Sequence, residues 1–284
     1  MSNLCIIIGA SHAGAQLALS LRQQGWQDDI LIIGEEAHLP YQRPPLSKTF
    51  LAGEKNSQDI FIRPQEAYQK ANIDFRFNSR VLDINRETKT VTLQDGEQIN
   101  YAKLALCTGS SAIKIPLPGS DIHGVYYLRN QQDAINIREN IKKVKNVVII
   151  GGGFIGLECA AILNQQGLQV TVLEAQKRLL QRVVSPQVSK FYQNLHDKKG
   201  VNIVTNALAA SIEGDGKQVN SVTCKDGKQY PAQMVIIGVG VKPNIKLAQN
   251  CGLKTNNGMC VDEYANTSDP DIVAAGDCTA FYHE

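Results

Sequence analysis

A glycine-rich turn set between an apolar run and a helical pattern occurs twice in this chain. The first is Gly9-Ala10-Ser11-His12-Ala13-Gly14, after Leu4-Cys5-Ile6-Ile7-Ile8 and before Ala15 to Gln24. The second is Gly151-Gly152-Gly153-Phe154-Ile155-Gly156, after Asn146-Val147-Val148-Ile149-Ile150 and before Leu157 to Gln166. One such motif is weak evidence by itself, but strand–turn–helix context gives it a mechanism. The first glycine makes the tight turn, the second lets backbone approach a pyrophosphate, and the third lets helix and strand pack closely. The helix N-terminus then offers free N–H groups and positive dipole to phosphates. Two copies imply two dinucleotides on one protein, an electron donor and an electron acceptor.

The 284 residues allow two domains, and 43% hydrophobic with 20% charged residues describes an ordinary soluble globular protein. A net charge of +2 and the lack of a Lys/Arg block give no pull toward nucleic acid or membrane. No apolar run is long enough to span a bilayer, so a cytoplasmic location is expected. The cysteines are Cys5, Cys107, Cys159, Cys224, Cys251, Cys260 and Cys278. None forms a CxxC pair, so neither a metal site nor a local redox disulfide is expected. Cys5 and Cys159 lie in apolar runs and read as small core hydrophobes.

The first part of the chain reads as strand 4–8, helix 14–24 and strand Ile30–Ile33. Glu35 follows Gly14 by 21 positions, where an acidic residue can accept from a ribose diol; a slip by one residue would put Glu36 there instead. A proline-rich loop, Leu39 to Lys48, follows. It either stiffly presents Arg43 and Lys48 to a ligand or is a rigid connector with solvated charges. Residues 74–109 read as a small β-meander with a turn at 94–97. It returns through Lys103–Cys107 to Thr108-Gly109, a pair suited to close backbone approach to a ligand. Pro116, Pro118 and Gly119 mark a linker.

The second part repeats this plan. Strand Gln169–Leu173 ends at Glu174, again the ribose position. A helix near 186–198, β segments near 201–205, 207–213 and 218–224, and a strand over Met234–Ile237 follow. The last segment, Asp271 to Asp277, is a β run ending in Gly276-Asp277.

Together these residues resemble the FAD-dependent NADH:ferredoxin reductases that serve cytochromes P450 and aromatic-ring dioxygenases, within the two-dinucleotide-domain flavoproteins. The most specific elements are Arg43-Pro44-Pro45-Leu46-Ser47-Lys48, Gly151 to Glu158, Phe191 to His196, Gly238 to Asn244 and Ala275 to Cys278. The resemblance spans nearly the whole chain. It implies an α/β fold with two Rossmann-like domains, each a three-layer unit of parallel sheet and β-meander. An NAD domain (113–235) would be inserted into a FAD domain (1–112 and 236–284). Gly9, Ser11, Ala13 and Gly14 would meet the FAD pyrophosphate and Glu35 its adenosine ribose. Arg43 would face FAD, Lys48 would approach the flavin ring, and Val81 would touch the adenine through its backbone. Thr108, Gly109 and Arg129 would lie along the FAD, and Asp277 on its ribityl chain. Gly151, Gly153, Ile155 and Gly156 would hold NADH, with Glu158 near the nicotinamide and Glu174 on the ribose. Gly240 is assigned to cofactor binding as well.

Lys48 and Glu158 are the expected catalytic pair. On residue type alone, Glu158 is equally a solvated group in a first helical turn. Lacking CxxxxC and any cysteine in the Tyr41–Lys48 loop, the chain is expected to pass single electrons from the flavin to an external carrier instead of doing thiol chemistry, and the resemblance implies that this carrier is a ferredoxin or rubredoxin.

Two departures from the family are visible. Ser11 replaces the second fingerprint glycine and crowds the pyrophosphate approach. The family also continues beyond the Gly-Asp motif with a flavin-facing helix and an interface domain. Weak FAD retention is therefore expected of this chain. The alternative is a nucleotide-binding fragment that another polypeptide completes.

Overall fold

The structure, a computed structural model, describes residues 3–216 and 218–281. The chain divides into two compact units. The first comprises the described parts of Met1–Gln42, Ile60–Ser111 and Lys242–Glu284; the second comprises Arg43–Asp59 and Ala112–Val241.

The first unit is built on a five-stranded parallel sheet. Its order is Ile272–Ala274, Lys103–Leu106, Cys5–Ile8, Ile30–Ile33, Ile73–Arg76. A parallel sheet must be covered on both faces, and the central strand shows how. Cys5 and Ile7 pack with Ala15, Ala18 and Tyr68 on the helical side. Ile6 and Ile8 pack with Val81, Ile84, Val91 and Leu93 on the other. The alternation follows from side chains pointing to opposite faces of a strand. The residues supplying the second face form the antiparallel meander Val81–Asn85, Thr90–Leu93, Gln98–Asn100.

The second unit repeats these layers. Its parallel sheet runs Asn202–Thr205, Gln169–Glu174, Asn146–Ile150, Met234–Ile237, Val125–Tyr127. A three-stranded antiparallel sheet, Ala209–Gly214, Val219–Cys224, Gln229–Pro231, supplies Ile212, Val219 and Val222 against Val148 and Ile150. Helix Phe154–Gln165 buries Gly156, Leu157, Cys159, Ala160 and Leu163. Ile149 is fully buried, and truncating it to alanine would cost about 2–5 kcal/mol.

The α/β three-layer plan agrees with the sequence reading, but the division of the chain differs from boundaries at 112/113 and 235/236. Strand Met234–Ile237 is hydrogen-bonded along its length to Asn146–Ile150, so the second unit runs on to Val241. Residues 43–59 also belong to the second unit. The expected end of the first domain at 282–284 lies outside the described residues. The proline-rich loop is partly helical: Pro44–Ser47 forms a 3-10 turn with proline at its first positions, where a fixed φ and missing N–H suit a helix start. Strand Val125–Tyr127 and helix Gln131–Ile141, the latter opened by an Asn130–Asp133 capping box, were not foreseen as elements.

Candidate functional site

Both fingerprint turns are forced into shape by the backbone itself. Gly9 has φ +121°, and a Cβ there would sit 2.1 Å from the carbonyl oxygen of Cys107. A Cβ on Gly14 would sit 2.1 Å from the oxygen of Gly9. In the second copy, Gly151 has φ +113° and would meet the Gly238 oxygen at 2.4 Å, while Gly156 would meet the Gly151 oxygen at 2.2 Å. The middle glycine is different: a Cβ on Gly153 would find nothing within 4 Å. The space beside it is open, as a phosphate approaching the backbone requires. The helices that follow start at Ser11 and Gly153 with no side-chain cap and no acidic residue in the first turn. No first-turn carboxylate thus offsets the positive dipole that each N-terminus can turn toward an anion. Ser11 holds an extended conformation (φ −138°), which its side chain tolerates.

At the ends of the second strands the two copies diverge. Glu174 accepts from Gly152 N–H through Oε2 and from Gln176 N–H through Oε1, both at 2.7 Å. Ile33 pairs with Ile8 as Leu173 pairs with Ile150, so the position that matches Glu174 in the first copy holds Gly34, one residue before Glu35. Glu35 is exposed and lies 3.4 Å from Arg80. Glu36 accepts from the Tyr41 hydroxyl at 2.6 Å.

Elsewhere in the first unit, Gly276 (φ +90°) lies close to the Ala13 methyl, which brings Asp277 to the start of the first helix. The Ser110 hydroxyl donates to Asp277 Oδ2 at 2.9 Å. Thr108 Oγ1 donates to the Asn244 carbonyl at 2.7 Å, and Asn244 Nδ2 returns a bond to the Thr108 carbonyl at 2.8 Å. Asn244 N–H donates to the carbonyl of Gly109, itself at φ +63°. Asn244 clamps this segment, and its only sequence signal was its place in Gly238–Asn244. Val81 is buried and paired to Leu93 beside a register shift. Gly240 (φ +118°) accepts from Ile113 N–H.

The second unit gathers the charged candidates. A cavity of about 270 Å³ is lined by Arg43, Ser47, Lys48, Arg129, Ile155 and Glu158, among others. Lys48 Nζ lies 2.6 Å from Glu158 Oε2, and the Ser47 hydroxyl donates to the same oxygen at 2.6 Å. Arg43 Nη1 donates to the Arg129 carbonyl at 2.7 Å. Arg129 N–H in turn donates to Asp133 Oδ2, the capping-box carboxylate. Ser47 was not singled out from sequence, because a serine beside a lysine carries no signal of its own.

All seven cysteines are free, and five are buried. Burial pushes the Cys5 thiol up to about 11. Burial first, then the neighbouring Glu158 charge, pushes Cys159 up to about 12. Such thiols are poor nucleophiles, and no cysteine is among the residues lining the cavity.

Comparison with known proteins accords with this arrangement. The sequence pattern described as "Pyridine nucleotide-disulphide oxidoreductase" matches residues 4–284. The chain is 38% identical to putidaredoxin reductase CamA of Pseudomonas putida over 284 residues, 98% of this chain and 67% of that protein. It is 39% identical to a rubredoxin-NAD(+) reductase of Pseudomonas putida over 273 residues, 96% of this chain and 71% of that protein. A crystal structure of the covalent putidaredoxin reductase–putidaredoxin complex superposes with a TM-score of 0.96 at 37% identity, covering 99% of this chain and 69% of that one. With glycine turns, strand-end carboxylate and near-complete coverage in agreement, the chain belongs to the pyridine nucleotide-disulphide oxidoreductase family.

Proposed function

We propose that this protein is a flavoprotein reductase using NADH and FAD to reduce a ferredoxin- or rubredoxin-type iron–sulfur carrier of an oxygenase system. The observation that carries the reading is the cavity of the second unit. Arg43, Lys48 and Arg129, expected along FAD, line it together with Ile155 and Glu158, expected at the nicotinamide. Hydride transfer and the release of single electrons are chemistry that FAD and NADH supply when bound. The protein's residues bind, orient and balance charge. Lys48 offers a cation to negative charge at the flavin edge, and a preorganised cation in such a site is worth more than in water. Glu158 Oε2 lies 2.6 Å from that ammonium and balances its charge.

In the first unit, the Gly9–Gly14 turn with Ser11 and Ala13 receives the FAD pyrophosphate, and Glu35 its adenosine ribose. Val81, Thr108, Gly109 and Asp277 flank the cofactor further along. In the second, Gly151, Gly153, Ile155 and Gly156 receive NADH, and Gly240 borders a bound cofactor. Glu174 favours NADH over NADPH, since a carboxylate accepts from a ribose hydroxyl and repels a 2′-phosphate. Of the two nearby cations that would weaken this preference, Lys177 and Arg178, the second is already engaged. Its guanidinium already donates to the Val184 and Gln181 carbonyls and to Ser189 Oγ.

The partner class rests on the relatives, two of which are named for putidaredoxin and rubredoxin. No helix among the described residues is long and apolar enough to cross a membrane. A cytoplasmic location suits seven free thiols, which a reducing compartment preserves. The test is an anaerobic NADH titration followed at flavin wavelengths, then addition of oxidised rubredoxin or a putidaredoxin-type ferredoxin. Bleaching by NADH and reoxidation by the carrier are expected. Persistent yellow colour with excess NADH would refute the reading.

A further inference from the structure

The cavity holds a polar side chain that the Lys48–Glu158 pair does not account for. Ser47 is buried, with 5% of its surface exposed, and its hydroxyl has one proton to give. Two acceptors are in range, the Pro44 carbonyl at 3.4 Å and Glu158 Oε2 at 2.6 Å. The shorter contact, to a charged oxygen, takes the proton; 2.6 Å is the length of a charge-assisted O–H···O bond.

The turn carrying Ser47 is fixed. Pro44 and Pro45 set its backbone, and Leu46 within it and Phe50 just after it are buried. Lys48 N–H and Phe50 N–H both donate to the Pro45 carbonyl at 2.9 Å. The Arg138 guanidinium stacks over the Phe50 ring at 5.2 Å. Lys48, by contrast, is 46% exposed at the end of a flexible side chain, and an exposed ion pair orients its partner weakly. Both donors converge on Oε2, and among the described residues no donor reaches Oε1.

We infer that Ser47 is a positioning residue. It holds Glu158 Oε2 whether or not Lys48 stays paired, and so keeps Oε1 as the free acceptor for a carboxamide N–H of nicotinamide. This rests on the reading of the cavity as the nicotinamide site, and the experiment separates the two.

Affinities for NAD⁺ and for ADP-ribose, which lacks the nicotinamide, are measured by calorimetry on the flavin-loaded protein. The wild type, Ser47→Ala, Glu158→Ala and the double variant are compared. Ser47→Ala is expected to weaken NAD⁺ binding by about tenfold, the scale of one hydrogen bond to a charged group. ADP-ribose binding should change by less than about twofold. In the Glu158→Ala background, Ser47→Ala should add nothing, because its target is gone. An unchanged NAD⁺ affinity overturns the inference and leaves the cavity reading standing. Equal losses for both ligands, or full additivity with Glu158→Ala, also overturn it, since Ser47 would then act on the fold. If the wild type binds NAD⁺ no better than ADP-ribose and Glu158→Ala changes neither, the nicotinamide reading itself fails, and the inference with it.

Discussion

The turns at 9–14 and 151–156 share a backbone and differ in what they face. In both, the first and third glycines are packing requirements, each with a backbone oxygen 2.1–2.4 Å from where a Cβ would stand. The second position carries no such demand: it is Ser11 in one copy and an open Gly153 in the other. The contact beneath also swaps size. Ala10 brings a methyl group toward Gly34, whereas Gly152 leaves room for Glu174, whose carboxylate takes the Gly152 N–H. The motif therefore contains two kinds of glycine, one packed against backbone and one with open space beside it; on the proposed function the open one answers to a ligand and the strand-end residue tunes which ligand.

Substitutions should separate these kinds. Gly14→Val is expected to be the most damaging, removing bound flavin and destabilising the first unit by about 3 kcal/mol or more through clash with the Gly9 carbonyl. Urea unfolding and flavin content report it, and a wild-type midpoint would mean the turn yields. Lys48→Ala should slow flavin reduction about a hundredfold while FAD binding changes little. Stopped-flow absorbance reads the rate; a nearly unchanged rate would make Lys48 an exposed cation on a stiff turn. Glu174→Ala should narrow the NADH preference by about tenfold, mostly by improving kcat/KM for NADPH. Unaltered selectivity would assign discrimination to another residue.

The smallest effect concerns His196, buried in helix Pro186–Lys198. Burial holds its pKa below the ordinary 6.5. The unfolded chain therefore binds a proton that the folded one resists. The stability tied to this group is full above about pH 6.5 and declines as pH falls toward the folded pKa. Thermal midpoints across pH 5–8 should show a shallower acid slope in His196→Gln than in the wild type.

Much of this was legible in sequence, for identifiable reasons. Continuous apolar runs such as Cys5–Ile8 and Val147–Ile150, each followed by a glycine turn, specify strand–turn–helix units with little ambiguity. Helix Pro186–Lys198 was placed from its pattern. The boundary near 235 was not legible, because an apolar strand such as Met234–Ile237 does not say which sheet will pair with it. The 3-10 turn at Pro44–Ser47 reads as a loop until burial of Leu46 is known. Ser47 acts through one short hydrogen bond and Asn244 through several, in each case to residues more than 100 positions away, and no local pattern encodes such a pairing. The ribose acid of the first copy was left between Glu35 and Glu36. The structure gives Glu36 to Tyr41 and leaves Glu35 at the surface beside Arg80.

The central claim is that the two turns serve two different dinucleotides. Gly153→Val tests it most directly, because the added side chain meets no protein atom near its Cβ yet stands where, on the proposed function, the second dinucleotide approaches. Wild type and variant are titrated anaerobically with NADH while flavin absorbance is recorded. The account predicts equal flavin content and equal thermal midpoints, with stoichiometric bleaching in the wild type and almost none in the variant. Loss of flavin from Gly153→Val, or bleaching like that of the wild type, would contradict it.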